Sequence, residues 1–158
     1  MRVRDIKDII SLMLGRELTA NVDQFITTVL LLYAHSPSIV LLCIRGIGVG
    51  RWSLNNQLIT DLFDAGSTNL RWHILVSMPP QGITPDVFYH IFTTLYPMAG
   101  RVDERLLLVS CLRGYLEGQP LQAIRYRKYL SKLSKFKNSD IAKHIERIRA
   151  IMAANGEA

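Results

Sequence analysis

The sequence has few of the features that support catalysis or metal binding. It contains two cysteines in 158 residues, and they form no Cys-x-x-Cys pair, so neither a disulfide framework nor a cysteine zinc site is indicated. The four histidines are scattered, with no pair at the spacing of helical metal ligands. Gly-x-Ser-x-Gly and Gly-Lys-Ser/Thr are absent, which argues against a serine elbow and a phosphate loop. We therefore expect no enzymatic activity, no small-molecule substrate, no metal and no cofactor.

Charged residues are also scarce, at 20% of the chain against 49% hydrophobic residues. A chain of this length suits one domain and can bury roughly 68–70% of its unfolded surface, enough for a core without disulfides. Cys43 and Cys111 lie in apolar runs, where free cysteine usually behaves as a small buried hydrophobe, and a reducing setting fits them. The apolar composition leaves surface for other protein subunits, so we expect self-association or membership of a complex.

The amino terminus lacks the continuous apolar segment of a secretory signal, because Asp5 and Asp8 interrupt it. Residues 25–44 contain no Asp, Glu, Lys or Arg over about the length that crosses a bilayer. The centre of that run reads His35-Ser36-Pro37-Ser38, however, and proline there favours two buried helices joined by a tight turn over one membrane span. We expect a cytoplasmic protein, with a membrane span as the less favoured alternative.

Hydrophobic periodicity and capping residues predict an all-α, single-domain bundle of about seven short helices over residues 1–152, followed by a frayed tail at 153–158. The predicted helices are 6–13, 25–34, 38–45, 54–64, 85–95, 102–117, 121–136 and a last one from Ser139 with an apolar stripe at Ile141, Ile145, Ile148 and Met152. Residues 70–77 alternate as in a half-buried strand, but a lone strand has no partner, so we favour a helix or an extended segment there. The last four helices suit two antiparallel hairpins.

The clearest start signal is Thr84-Pro85-Asp86, which combines a hydroxyl N-cap, proline at the first helical position and a carboxylate in the first turn. Asp103-Glu104 is the only adjacent pair of acids in the chain. Side chains of adjacent helical residues diverge by about 100°, so this pair suits the first turn of a helix better than a catalytic site.

Positive charge is concentrated near the carboxyl terminus. Residues 121–150 carry nine lysines and arginines against two acids, a balance of +7, whereas the whole chain is +6 and the remainder therefore −1. A field this concentrated predicts an anionic partner more strongly than a uniformly basic chain would.

On a helix over 121–137, four cations fall along one side and the aromatic and leucine residues along the other: Arg125, Lys128, Lys132 and Lys135 against Tyr126, Tyr129, Leu130, Leu133 and Phe136. Cations one turn apart can contact successive phosphates. Lys143 and Arg147 extend this patch if the last two helices pack antiparallel. As an alternative, the cations form a solvated face that binds no partner. The tyrosines are favoured as core residues, and the alternative for them is stacking on bases.

Leu41-Leu42-Cys43-Ile44-Arg45-Gly46-Ile47-Gly48-Val49-Gly50-Arg51-Trp52 resembles the helix-hairpin-helix DNA-binding motif, over about a dozen residues. The resemblance implies a hairpin at Gly46, Ile47 and Gly48, with Arg45 and Arg51 near a phosphate. The sequence departs from the family at Trp52, where a small residue is usual, and at the additional Gly50. A glycine turn between two core helices is the simpler interpretation.

These patterns predict a non-enzymatic accessory subunit that binds nucleic acid, either DNA or RNA, through the phosphate backbone. The alternative is a structural or assembly protein, such as a matrix-like or secretion-complex subunit. It would use its apolar surface for other protomers and its basic helix for an acidic protein or an anionic membrane surface.

Overall fold

The computed structural model describes residues 2–14, 20–33, 35–48, 56–77 and 83–156, and within these ranges the chain is helical with no β-strand. The predicted all-α fold is confirmed. The α-helices are α1 Val3–Leu14, α2 Ala20–Leu32, α3 Pro37–Gly48, α4 Asn56–Ala65, α5 Thr68–Ser77, α6 Pro85–Leu95, α7 Val102–Gly118, α8 Arg127–Leu133 and α9 Ser139–Ala154, with 3₁₀ helices at Tyr96–Met98 and Pro120–Tyr126. The described ranges thus hold more helices than the seven or so predicted.

The chain divides into two compact units, unit 1 at Met1–Val87 and unit 2 at Phe88–Ala158. Most of α6 belongs to unit 2 and is described with it. The single domain expected over residues 1–152 stays a prediction.

In unit 1, α3 packs against α1, α2 and α5, and α4 packs against α5. The side chains at its centre are almost fully buried: Ile10, Ile39, Val40, Cys43, Ile59, Phe63 and Ile74. Burial raises the pKa of the Cys43 thiol to about 12, so this thiol is protonated at neutral pH. Cys43 therefore acts as a small core residue, as its apolar neighbours in the sequence predicted.

Residues 70–77 form helix α5, so the extended alternative for this segment is wrong. The backbone N–H of Leu70 donates to Ser67 Oγ at 3.2 Å, which caps the helix start. Leu70, Ile74 and Leu75 are buried, and their spacing is that of a helix. The alternation of apolar and polar residues suggested a strand in which Val76 would be buried, but in helix α5 Val76 is 53% exposed.

Arg71 links α5 to the end of α4. Its Nε donates to the Phe63 carbonyl at 2.8 Å and its Nη2 to the Asp64 carbonyl at 2.7 Å. These are carbonyls of the last helical turn, which lack partners within the helix. Gly66 lies in the turn between the two helices, where a Cβ would meet the Leu62 carbonyl at 3.0 Å. Any larger residue here would require the Leu62 carbonyl and the Leu70 side chain to shift by a few tenths of an ångström, so glycine is favoured, in agreement with the predicted helix stop.

Helix α3 continues through Gly48, so Gly46, Ile47 and Gly48 form its last turn. The hairpin implied by the helix-hairpin-helix resemblance is wrong. Glycine in a helix costs about 1 kcal/mol relative to alanine, but Ile39, Val40 and Cys43 fix α3 in the core, and packing overrides this cost. The side chain of Arg45 and the whole of Arg51 lie outside the described residues, so their phosphate contact stays a prediction.

The uncharged run at 25–44 is divided between α2, which ends at Leu32, and α3, which begins at Pro37, in agreement with the predicted pair of helices. Across the described ranges, no helix is long and apolar enough to cross a membrane.

In unit 2, the predicted helix boundaries are largely confirmed. The N–H of Val87 donates to Thr84 Oγ1 at 3.4 Å at the start of α6. Asp103 and Glu104 lie in the first turn of α7, where Glu104 Oε1 accepts from the Arg101 N–H at 3.1 Å. The stripe of α9 is buried as predicted, at Ile141, Ile145, Ile148 and Met152.

Helices α7 and α9 run in the same direction. Arg105 stacks on Phe136, Arg113 contacts His144 and Glu117 lies 4.0 Å from Arg147, so the contacting residues advance together along both helices. The segment between them leaves the end of α7 and returns to Phe136 beside Arg105. It therefore runs antiparallel to both helices, which is the packing predicted for the last two helices.

The segment predicted as one helix over 121–136 is instead a 3₁₀ helix, Pro120–Tyr126, followed by α8. Buried Ala123 and Tyr126 are three residues apart, the repeat of a 3₁₀ helix, and buried Tyr126, Leu130 and Leu133 then follow the α-helical spacing. Burial of these side chains therefore favours a 3₁₀ helix followed by an α-helix. At the other end, α9 includes Ala153 and Ala154, and the fraying of residues 153–158 stays a prediction.

Replacing Asn138 with alanine is expected to lower the free energy of unfolding by about 1 kcal/mol. Asn138 caps α9: its Oδ1 accepts from the N–H groups of Asp140 and Ile141 at 3.0 and 3.1 Å. Urea denaturation followed by circular dichroism measures the change. Asn155→Ala at the exposed end of α9 is the control and should change stability by less than about 0.5 kcal/mol. Equal effects of the two substitutions would contradict the cap.

Candidate nucleic-acid interface

The net charge of the protein lies entirely in unit 2. Residues 88–158 contain 12 lysines and arginines against six acids, whereas residues 1–87 contain seven of each. Unit 2 therefore carries the whole formal charge of +6, and a search for an anion-binding surface belongs there.

Lys128, Lys132 and Lys135 are exposed on one side of α8 and of the turn that follows it. At 100° per residue they fall opposite Tyr126, Leu130 and Leu133, all of which are buried. No ion pair engages any of the three lysines within the described part of the chain. We call these three residues the α8 lysine row. Lys128 Nζ lies 5.0 Å from the centre of the Tyr129 ring, but all three side chains are exposed and can meet an anionic partner.

Arg125 differs from the lysines with which it was grouped. It lies in the 3₁₀ helix before α8 and is half-buried, with its guanidinium carbon 4.2 Å from the centre of the Tyr89 ring. This cation–π contact fixes the side chain against the protein. Arg125 is therefore adjacent to the α8 lysine row but is not an exposed member of it.

Aromatic side chains pack together on the buried side of α8 and of the 3₁₀ helix before it. Tyr126 is fully buried and makes edge-on contacts with Phe92 at 5.1 Å and Tyr89 at 5.6 Å between ring centroids. Tyr129 packs edge-on against Tyr96 at 4.9 Å. Tyr126 thus lies in the core, as the sequence favoured. These ring contacts hold in place the helix that carries the lysines.

Lys143 and Arg147 do not extend the α8 lysine row. They line a groove between α7 and α9, together with Arg113 and His144, and among the described residues none of α8 contributes to its lining. The predicted antiparallel packing is present, but the two cations lie beside α7 at the edge of the groove. The sequence therefore predicted one patch where the structure has two surfaces.

A polar network joins α7 to α9 at this groove, and sequence reasoning missed it. Arg113 Nε donates to His144 Nδ1 at 2.9 Å, and Arg113 Nη1 donates to Glu117 Oε1 at 2.6 Å. Arg147 Nη1 lies 4.0 Å from the same carboxylate oxygen. The i, i+4 spacing of Arg113 and Glu117 is readable in the sequence. The contacts across to α9 are not, because they depend on the direction in which the helices pack.

Acidification is expected to destabilise the protein through His144. Burial lowers the pKa of His144, the Arg113 and Arg147 guanidiniums lower it further, and Asp140 opposes them. Because the folded-state pKa lies below the unfolded value of about 6.5, the unfolded chain binds more protons as the pH falls through this window. The free energy of unfolding should therefore fall as the pH decreases through the unfolded-state value of about 6.5.

His144→Gln is the matched variant, because the glutamine oxygen can still accept from Arg113. Urea denaturation at each pH should show a weaker pH dependence for this variant than for the parent protein. Identical pH profiles would show that His144 titrates alike in the folded and unfolded states.

Comparisons of the chain with protein-family models, with curated proteins and with solved structures give no match. In the part of the chain that the structure describes, no three His, Cys, Asp or Glu side chains come together to hold a metal ion. What the protein does is therefore inferred from its own residues and their geometry.

Proposed function

We propose that the protein is a non-enzymatic accessory subunit that binds nucleic acid, DNA or RNA, through the phosphate backbone. The α8 lysine row is the contact surface, with Arg125 beside it. The observation that carries the proposal is the exposure of Lys128, Lys132 and Lys135 on one side of a helix whose other side is buried.

Electrostatics and rigidity both support this assignment. The three amines lie on the unit that holds the whole net charge, so the surrounding field favours a polyanion. The buried face of α8 fixes the backbone that carries them, so less ordering is needed on binding. Phosphate contacts of this kind position a protein on nucleic acid without reading its sequence.

The test is the binding of fluorescein-labelled oligonucleotides of unrelated sequence, followed by fluorescence anisotropy over a range of salt concentrations. Three phosphate contacts predict a slope of log K against log salt concentration of about −2 to −3, nearly the same for each sequence. Binding that does not respond to salt, or binding to one sequence alone, would contradict a backbone-contact function.

An alternative function in assembly is favoured by apolar side chains at the surface of unit 2. Leu121 is 68% exposed and Ile124 46% exposed in the 3₁₀ helix before α8, and Val102 at the start of α7 is 47% exposed. Light scattering over a range of protein concentrations tests this alternative, since a rising mass indicates self-association. Capture by anionic vesicles, without oligonucleotide binding, would favour a membrane surface as the partner of the lysines.

A further inference from the structure

An open groove with a volume of about 560 Å³ lies between α7 and α9. Helix α7 contributes Leu106, Leu107 and Ser110, all half-buried. These side chains lie on the side of α7 opposite its buried residues, so the fold of unit 2 does not need them as core. Half-buried leucines beside a concave surface are typical of sites that take an apolar side chain from a partner.

Charge is distributed unevenly along the groove. Asp103 and Asp140 lie in the first turns of α7 and α9, and because the two helices run in the same direction both carboxylates lie toward the same end. Arg113, Lys143 and Arg147 follow toward the other end. Arg113 is held in place by its hydrogen bonds to His144 and Glu117. Two of these charges have intramolecular partners: Asp103 lies 3.3 Å from Arg101, and Arg113 is paired with Glu117, which lies 4.0 Å from Arg147. The groove therefore has Asp140 toward one end, and Lys143 and the outer side of Arg147 toward the other, as the charges most open to a partner.

This pattern fits a protein helix better than a nucleic acid. A phosphate backbone running along the groove would meet both carboxylates, and the groove lining offers no Phe, Tyr or Trp side chain on which a base could stack; its imidazole, His144, is hydrogen-bonded to Arg113. A helix can place leucines on the apolar residues and acidic side chains against Lys143 and Arg147. From Asp103 to Arg113 the groove is about 15 Å long at 1.5 Å per residue, which is about three turns of a bound helix.

We propose that the α7–α9 groove binds an amphipathic, acidic helix of a partner protein. Leu106 and Leu107 receive the apolar stripe of that helix, and Lys143 and Arg147 pair with its carboxylates. This site is separate from the α8 lysine row, so the protein has one surface for a polyanion and another for a protein partner.

The test uses a fluorescein-labelled helical peptide of about 15 residues, with leucines at i, i+4 and i+7 and with glutamates beside that stripe only in the half that meets Lys143 and Arg147. Two comparison peptides have the same composition with the leucines dispersed, or lysines in place of the glutamates. Fluorescence anisotropy should show binding of the first peptide at least about tenfold tighter than binding of either comparison peptide.

Three variants locate the bound peptide. Leu106→Lys removes an apolar contact, Ser110→Trp fills the groove, and the pair Lys143→Glu and Arg147→Glu reverses the charge at its basic end. Each should weaken peptide binding at least about tenfold while circular dichroism shows a folded protein. The pair Lys128→Glu and Lys132→Glu on α8 is the control and should leave peptide binding unchanged.

Equal binding of all three peptides, or full binding to folded Leu106→Lys and Ser110→Trp proteins, would overturn the proposal. Displacement of the peptide by an oligonucleotide would also overturn it, by assigning the groove to nucleic acid. Because the oligonucleotide test depends on α8 and the peptide test on α7 and α9, each can fail while the other succeeds.

Discussion

Tyr126→Ala is expected to lower the free energy of unfolding by about 3–5 kcal/mol, the range found when large aromatic residues are removed from a core. Tyr126 is fully buried and contacts Phe88, Tyr89 and Phe92 through its ring. It also ends the 3₁₀ helix from which α8 starts. A loss of this size is a large fraction of the usual stability of a domain, about 5–15 kcal/mol.

Tyr126→Phe keeps the ring and removes the hydroxyl, so it measures the contribution of the hydroxyl to stability apart from that of the ring. The Tyr126 hydroxyl is buried and has no hydrogen-bond partner among the residues that the structure describes, and burial raises its pKa, so the group stays neutral. Removing a buried, unpaired hydroxyl should leave stability unchanged or raise it by about 1 kcal/mol, because its desolvation cost disappears. Urea denaturation of both variants measures these changes. Equal destabilisation by the two substitutions would show that the hydroxyl has a partner in solution.

The largest effect on binding is expected from reversing the α8 lysine row, with Lys128→Glu, Lys132→Glu and Lys135→Glu combined. All three side chains are exposed, so the protein should remain folded. Each lost phosphate contact should reduce the magnitude of the salt slope by about 1, and affinity at low salt should fall at least about tenfold. Circular dichroism and oligonucleotide anisotropy measure the two properties on the same samples.

The matched control reverses three cations at the other end of the chain, with Arg2→Glu, Arg4→Glu and Lys7→Glu. This variant changes the net charge by the same amount, but its substitutions lie in or beside α1 of unit 1. It should retain most of the affinity if the α8 lysine row acts locally. A loss equal to that of the α8 variant would mean that net charge alone, and not a defined surface, sets the binding.

The sequence predicted those helices whose signals are local. Thr84, Pro85 and Asp86 start α6 because capping depends only on neighbouring residues, and the stripe from Ile141 to Met152 identified the buried face of α9. The 70–77 segment was ambiguous because the apolar residues of one helical face can also alternate over a short run. Gly46 and Gly48 suggested a turn, but they lie in helix α3. The low helix propensity of glycine is a smaller effect than the packing of the residues that precede them.

The candidate site was only partly predictable. The side of α8 that carries Lys128, Lys132 and Lys135 follows from helical spacing, and the structure exposes it. The separation of Lys143 and Arg147 from that row could not be predicted, because it depends on how α9 is rotated against α7. The contact between Arg113 and His144 has the same origin: 31 residues separate the two side chains.

The salt dependence of oligonucleotide binding, measured on the folded parent protein and the folded α8 variant together, tests the central claim most directly. A polyanion held by the α8 lysine row predicts a slope of about −2 to −3 for the parent protein and a slope near zero for the variant, with weak residual binding. The same slope and affinity in both proteins would contradict it, because the exposed amines of α8 would then make no contact with phosphate.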